Sequence, residues 1–229
     1  KKYLPSLASG NSLGAFALTE PAAGSDAANI QTTADINGED FILNGSKIFC
    51  TNGDQADLTI VFATNDKNLG PMGGITAFLV EKNTPGFSVG KIEKKMGLKA
   101  SSTAELIFEN CKIPKSNVLG DVGAGFMVAL TTLDGGRVSL AVGALGAAQR
   151  ALDLCVDFLR KNQSEGGSLS NRQSVQWKLA DIAMEVYASK YLVYNNLVEL
   201  EKYYKIIESR EKVPRRLRDC ISRGSAISK

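Results

Sequence analysis

The sequence predicts an α+β chain: an antiparallel β-barrel or sandwich-like domain over residues 1–118, followed by a long-helix bundle over residues 119–229. Three observations carry that expectation. Short β-branched and aromatic runs crowd the stretch between Gly14 and Pro114, Asn-Gly dipeptides punctuate them, and beyond Gly125 apolar residues recur every three or four positions. The composition fits a packed domain: 44% apolar with 22% charged excludes a disordered tail or a collagen-like rod.

Strands are expected at 31–36, 41–43, 46–51, 58–63, 74–81, 87–92 and 104–108. Asn37-Gly38, Asn44-Gly45 and Asn52-Gly53 are the dipeptide that tolerates the positive φ of tight hairpins, so a meander or small barrel of antiparallel strands follows. In the second half Leu130, Leu133, Val138, Val142, Leu145 and Leu152 share one face of a long helix. Gly135-Gly136 interrupts it at a cost of roughly 1 kcal/mol per glycine; either something approaches closely there or the helix begins after the pair. A second helix is expected over 173–208, and Pro214 separates it from a basic third over 215–229. The chain then stops mid-pattern, as an excerpt of a longer polypeptide would.

Missing chemistry narrows the function. Without a single histidine, Ser-His-Asp and Cys-His catalysis and HExxH zinc sites cannot be assembled from this chain. Gly10-Asn11-Ser12-Leu13-Gly14 matches a nucleophile-elbow pattern, but no strand precedes it, and it reads as a turn. Cys50, Cys111, Cys155 and Cys220 are widely spaced, as isolated thiols in a reducing compartment would be. Asn44-Gly45-Ser46 and Asn162-Gln163-Ser164 are sequons by chance. A net charge of +3, dispersed, gives no nucleic-acid surface, and no eighteen consecutive residues are apolar, so no membrane partner is expected.

The stretch Phe16-Ala17-Leu18-Thr19-Glu20-Pro21-Ala22-Ala23-Gly24-Ser25-Asp26 resembles the flavin-binding signature of the acyl-CoA dehydrogenases. Further matches stand in that family's order: 44–53 (Asn-Gly-Ser-Lys-Ile-Phe-Cys-Thr-Asn-Gly), 95–103 (Lys-Met-Gly-Leu-Lys-Ala-Ser-Ser-Thr), Leu133-Asp134-Gly135-Gly136-Arg137, Gln149-Arg150-Ala151-Leu152 and Lys178-Leu179-Ala180-Asp181. The resemblance covers the chain up to about Asn195. It implies an FAD-dependent oxidoreductase of fatty acid metabolism that converts an acyl-CoA to a trans-2-enoyl-CoA, with short or unbranched acyl groups favoured. An electron-transferring flavoprotein as acceptor, a homo-oligomeric assembly (tetramer or dimer), and a bacterial cytoplasmic or mitochondrial-matrix location are implied with it.

By the same resemblance Phe16, Leu18, Thr19, Gly24, Ser25, Phe49, Cys50 and Thr51 contact the cofactor, with Thr19 on the pyrimidine side, Thr51 near the reactive nitrogen and Phe49 beside the ring. Ser25, Asp134 and Arg137 contact the substrate. The residue chemistry is compatible: a turn over 19–25 with Pro21 and Gly24 offers backbone N–H groups and two hydroxyls to one ligand, and a guanidinium suits phosphate or adenine. Read without the resemblance, Gly24-Ser25-Asp26 is a surface turn, Phe49 a core residue, and Asp134 with Arg137 a helix-terminal salt bridge.

Two departures from the family pattern stand out. The catalytic glutamate that most members carry near the C-terminal end lies past the last residue here, and the alternative position on the long helix is Gly136, so no catalytic residue is assigned. The Arg-x-Gln-Phe-Gly segment that reaches a neighbouring subunit's FAD is altered: either Asn162 and Glu165 replace its arginine and phenylalanine, or Arg160 is that arginine and two residues are inserted. A glutamate near a pyrophosphate repels it, and 162–171 is expected to be a polar loop. This leaves a second reading open, a non-catalytic acyl-CoA-binding or assembly relative that has lost FAD. The small-residue stretch 141–148 is either a helix interface between subunits or packing within one.

Overall fold

The computed structural model describes residues 2–164 and 167–209. They divide into two compact units, the first ending at Leu130 and the second beginning at Thr131.

The first unit opens with a short helix, α1 (Leu4–Ala8), and the Gly10–Gly14 stretch is a turn, with Gly10 at φ +75°. Seven strands follow: β1 (Gly14–Ala17), β2 (Thr33–Asn37), β3 (Asp40–Thr51), β4 (Leu58–Thr64), β5 (Ile75–Glu81), β6 (Phe87–Ile92) and β7 (Thr103–Pro114), with a four-residue helix α2 (Pro71–Gly74) before β5. They form one sheet in the order β1-β4-β2-β3-β7-β6, and β5 lies along the other edge of β4. Four pairings are antiparallel, but β4 pairs in parallel with β1 over Gly14–Ala17 and with β2 at Thr33. The sheet is therefore mixed, because the chain runs through β2 and β3 before β4 returns alongside β1. Phe41, Leu43, Val61, Phe78, Leu106 and Phe108 fill the core between its curled faces.

Only the first of the three Asn-Gly dipeptides closes a hairpin, with Asn37 paired to Asp40 and Gly38 at φ +63°. Asn44-Gly45 instead lies inside β3, merging two expected strands into one of twelve residues. Glycine is required there for another reason: at φ +142° a Cβ on Gly45 would stand 2.7 Å from Thr32 Oγ1 and 2.8 Å from Thr32 Cα. β1 lacks a strand signature in the sequence, because Gly-Ala-Phe-Ala carries no β-branched residue.

The second unit is helical. Helix α3 (Gly125–Lys161), which belongs to this unit from Thr131 onward, passes without interruption through Gly135-Gly136, and α4 (Gln173–Glu208) occupies the whole expected range. Close approach accounts for one of the two glycines, since a Cβ on Gly135 would meet Tyr204 Oη of α4 at 2.9 Å, whereas Gly136 faces open space. Between the helices the backbone of β8 (Gln163–Ser164) pairs with β9 (Gly167–Ser168). Helix α3 is by length and composition apolar enough to cross a bilayer, although no eighteen consecutive residues are apolar. Leu140, Phe158, Trp177 and Tyr187 are among the large apolar side chains left exposed on α3 and α4. Glu165, the basic stretch 215–229 and Cys220 lie outside the described residues.

Candidate functional site

The site is built where the chain leaves β1 and meets β3. After Ala17 the backbone turns back on itself: the Glu20 N–H donates to the Ala23 carbonyl (3.0 Å) and the Ala23 N–H to the Glu20 carbonyl (3.1 Å), with Pro21-Ala22 at the apex. Pro21 presets its φ for such a position. The Ile48 N–H of β3 donates to the Thr19 carbonyl at 2.9 Å, which fixes the turn against that strand. Thr19 is half-buried, and among the described residues its own N–H has no protein acceptor. A half-buried amide without a partner is a donor held open.

β3 contributes the second wall through a bulge. Its register against β7 steps from Lys47 opposite Leu106 to Cys50 opposite Ala104, so Ile48 and Phe49 together oppose one residue. Up to that point odd-numbered residues (Phe41, Leu43, Lys47) face the core; beyond it the parity reverses, and Cys50 is buried. Phe49 and Thr51, which an unbroken strand would turn inward, are thereby turned outward. Phe49 has φ +56° and its residue is 61% exposed. A left-handed phenylalanine costs about 1–2 kcal/mol, and burial of its ring repays little of that. Such an outlier points to function rather than packing.

Beneath the turn lies a buried ion pair. Lys47 Nζ donates to Glu20 Oε1 at 2.6 Å and to the Leu18 carbonyl at 3.2 Å, with side chains 0% and 3% exposed for Lys47 and Glu20. Glu20 Oε1 also accepts the Thr32 N–H (3.0 Å), and Oε2 accepts the Gln31 N–H (2.5 Å). Burial pushes the Glu20 carboxyl upward, but the Lys47 ammonium and these donors outweigh it and hold the group below the ordinary carboxylate range. Burial likewise pushes the Lys47 ammonium down, opposed by Glu20.

Phe16 is half-buried on β1, its ring 5.0 Å from that of Phe62. Leu18 is buried with its carbonyl taken by Lys47. Cys50 packs its side chain into the core, and burial raises its thiol to about 11, so only its backbone remains for a ligand. Gly24 and Ser25 are exposed just past the turn, and no hydrogen bond joins Ser25 to Thr19 or Thr51. In the 95–103 segment Lys95 Nζ bonds the Ser101 carbonyl, and the Asn52 N–H donates to the Ser102 carbonyl at 3.0 Å, tying this loop to the end of β3. In the second unit Arg137 Nη1 donates to Asp134 Oδ1 at 3.0 Å, within α3 rather than at its end. Asn162 Nδ2 bonds the Phe158 carbonyl at the end of α3. Cys111 is buried and Cys155 exposed, both free thiols.

Glu20 and Lys47 carry no role in the flavin motif as the sequence alone presents it. A signal existed: Phe41, Leu43 and Lys47 fall on one parity of a strand, and a lysine on the inward face requires a buried partner.

A mixed half-barrel whose β1 turn meets a bulge in β3, followed in the chain by long helices, defines a class of middle and C-terminal domains. The family model for the acyl-CoA dehydrogenase middle domain matches residues 15–111, and that for the C-terminal domain matches 123–203. This chain belongs to the acyl-CoA dehydrogenase family. It is 50% identical over 194 residues to an acyl-CoA dehydrogenase of Bacillus subtilis, covering 85% of this chain and 51% of that protein. The solved butyryl-CoA dehydrogenase of Megasphaera elsdenii superposes with a TM-score of 0.81 at 48% identity, over 88% of this chain and 52% of that one. A solved structure described as an electron transferring flavoprotein of Acidaminococcus fermentans gives 0.84 at 45% identity, over 99% and 56%. The chain thus spans about half the length of the proteins it matches.

Proposed function

We propose that the whole protein carrying this chain is an FAD-dependent dehydrogenase of short acyl-CoA thioesters, and that the turn after β1 and the bulged end of β3 form its flavin cradle. The observation that carries the reading is the bulge at Ile48–Phe49, which holds Phe49 and Thr51 outward at a conformational cost, beside a Thr19 N–H left without a protein acceptor. These features suit a flavin: an apolar face for the ring, and an amide and hydroxyls for its polar edge.

In this reading the Thr19 N–H and hydroxyl orient the pyrimidine edge, Phe49 covers the ring and shuts water out, and the Thr51 hydroxyl lies near the reactive nitrogen. Phe16, Leu18, Gly24, Ser25 and Cys50 complete the cradle through packing and backbone. When bound, the flavin supplies a hydride acceptor for the substrate β-carbon. Donors aimed at a site of developing negative charge lower the barrier to removing the α-proton. No residue of this chain is assigned as the carboxylate taking that proton: the position that the resemblance gives on the long helix is Gly136, which has no side chain. Asp134 and Arg137 hold the nucleotide end of the CoA, Arg137 with guanidinium donors beyond the one given to Asp134, and Ser25 the pantetheine or phosphate region.

The name of the Megasphaera elsdenii relative, butyryl-CoA dehydrogenase, supports a short acyl chain. The Acidaminococcus structure supports an electron-transferring flavoprotein as acceptor. The exposed apolar residues of α3 and α4 support an oligomer that covers them. A bacterial cytoplasmic location accords with the Bacillus subtilis relative, and a mitochondrial-matrix location with the mitochondrial short-chain specific acyl-CoA dehydrogenase of Rattus norvegicus, 44% identical over 85% of this chain and 47% of that protein. The test is anaerobic mixing of the full-length, FAD-loaded protein with butyryl-CoA: the oxidised-flavin absorbance is expected to bleach. Colourless protein that still binds acyl-CoA would instead establish the non-catalytic relative, for which the altered segment after Arg160 is the ground.

A further inference from the structure

The Glu20–Lys47 pair is unexplained by stability. Two charges with side chains 0% and 3% exposed incur a desolvation cost that their attraction often fails to recover, and apolar replacements of similar volume are commonly as stable. What sets this pair apart is the connection it makes. Lys47 Nζ also bonds the Leu18 carbonyl, and the other end of that same peptide unit is the Thr19 N–H, which has no protein acceptor among the described residues. The next carbonyl, that of Thr19, is held by the Ile48 N–H, one residue beyond Lys47 and inside the bulge that turns Phe49 outward. Three consecutive residues of the turn are therefore fixed from β3, two of them through one ammonium, while Gln31 and Thr32 anchor the carboxylate.

We propose that Glu20 and Lys47 are positioning residues for the flavin cradle: the Lys47 ammonium pins and polarises the Leu18–Thr19 peptide, so that the Thr19 N–H is presented as a strengthened donor to the pyrimidine edge of the cofactor. This rests on the flavin reading above. A cation on a carbonyl oxygen draws density from the amide at the far end of the peptide, and hydrogen bonds in series strengthen one another by about 10–30% each. A donor at the pyrimidine edge favours the reduced ring, which carries negative charge there, over the oxidised one. Glu20 keeps the ammonium in place and balances its charge; it acts through Lys47 and touches no reactant.

The experiment uses the full-length protein with two double variants, Glu20→Gln/Lys47→Met and Glu20→Gln/Lys47→Gln, both of which remove the charges together and avoid stranding one. FAD affinity, the flavin midpoint potential and the unfolding midpoint are measured for each. The expected result is an unfolding midpoint near that of the wild type. FAD binding weakens, and the preference for reduced over oxidised flavin falls about tenfold, a drop of about 30 mV for the two-electron couple. A double variant that folds and binds FAD with wild-type affinity and potential overturns this inference alone. Failure of both variants to fold overturns it in favour of a purely structural pair. Wild-type protein that takes up no FAD overturns the inference and the proposed function together.

Discussion

Removing Lys47 alone tests the energetics of the turn independently of any ligand. Lys47→Met leaves the Glu20 carboxylate 3% exposed with only the Gln31 and Thr32 amides for company. Breaking one side of a buried pair costs about 3–5 kcal/mol; the two retained amide bonds place this case near 3. With a urea slope of roughly 1–3 kcal/mol/M, the midpoint falls by about 1–3 M at neutral pH. The acid dependence carries the sharper signature. In the wild type Glu20 is held below its ordinary value, so its contribution is fully present above the unfolded carboxyl pKa and lost as pH falls through the folded one. In the variant burial dominates and raises the folded pKa, so protonation relieves the stranded charge as pH falls, and the gap to wild type narrows. Urea titrations at pH 7 and near pH 4 measure both. A gap below about 1 kcal/mol at pH 7, or one indifferent to pH, refutes the buried-pair account.

Other outcomes follow from the same geometry. Gly45→Ala places a Cβ 2.8 Å from Thr32 Cα and is expected to destabilise the first unit by about 2–4 kcal/mol in the same titration. Phe49→Gly relieves left-handed strain while losing a mostly exposed ring, so stability stays within about 1 kcal/mol of wild type while FAD affinity, read by fluorescence titration, falls several-fold. Cys50 and Cys111, both buried with thiols raised to about 11, are expected to resist alkylation in the native protein at neutral pH and to react on unfolding, as mass spectrometry would show. Arg137→Ala is expected to raise KM for butyryl-CoA about tenfold and leave KM for butyryl-pantetheine, which lacks the nucleotide, nearly unchanged.

Much of the fold is legible in the residues. The β-branched and aromatic runs at 58–63 and 87–92 mark strands, the first buried along nearly its whole length, and the three-to-four spacing beyond Gly125 marks helices that bury one face. Asn44-Gly45 misleads because Asn-Gly signals a hairpin only when the glycine's φ serves a turn; here the glycine makes room for Thr32. The parallel contacts of β4 depend on the path of the intervening chain, which no local pattern encodes. At the site, the motif residues are visible as a motif, but the device that exposes Phe49 and Thr51 is a bulge, and its position depends on register against β7. Nothing in the 44–53 stretch announces it. The Glu20–Lys47 pair joins residues twenty-seven apart and becomes visible only when Lys47 is recognised as inward-facing.

The most direct measurement is an equilibrium titration of the full-length apoprotein with FAD, run in parallel on the wild type and Thr51→Val. Saturable uptake of one FAD per chain, weakened about tenfold in the variant, is the predicted result. Absence of saturable uptake, or equal affinity in both proteins, contradicts the assignment of the turn after β1 and the bulged end of β3 as a flavin cradle.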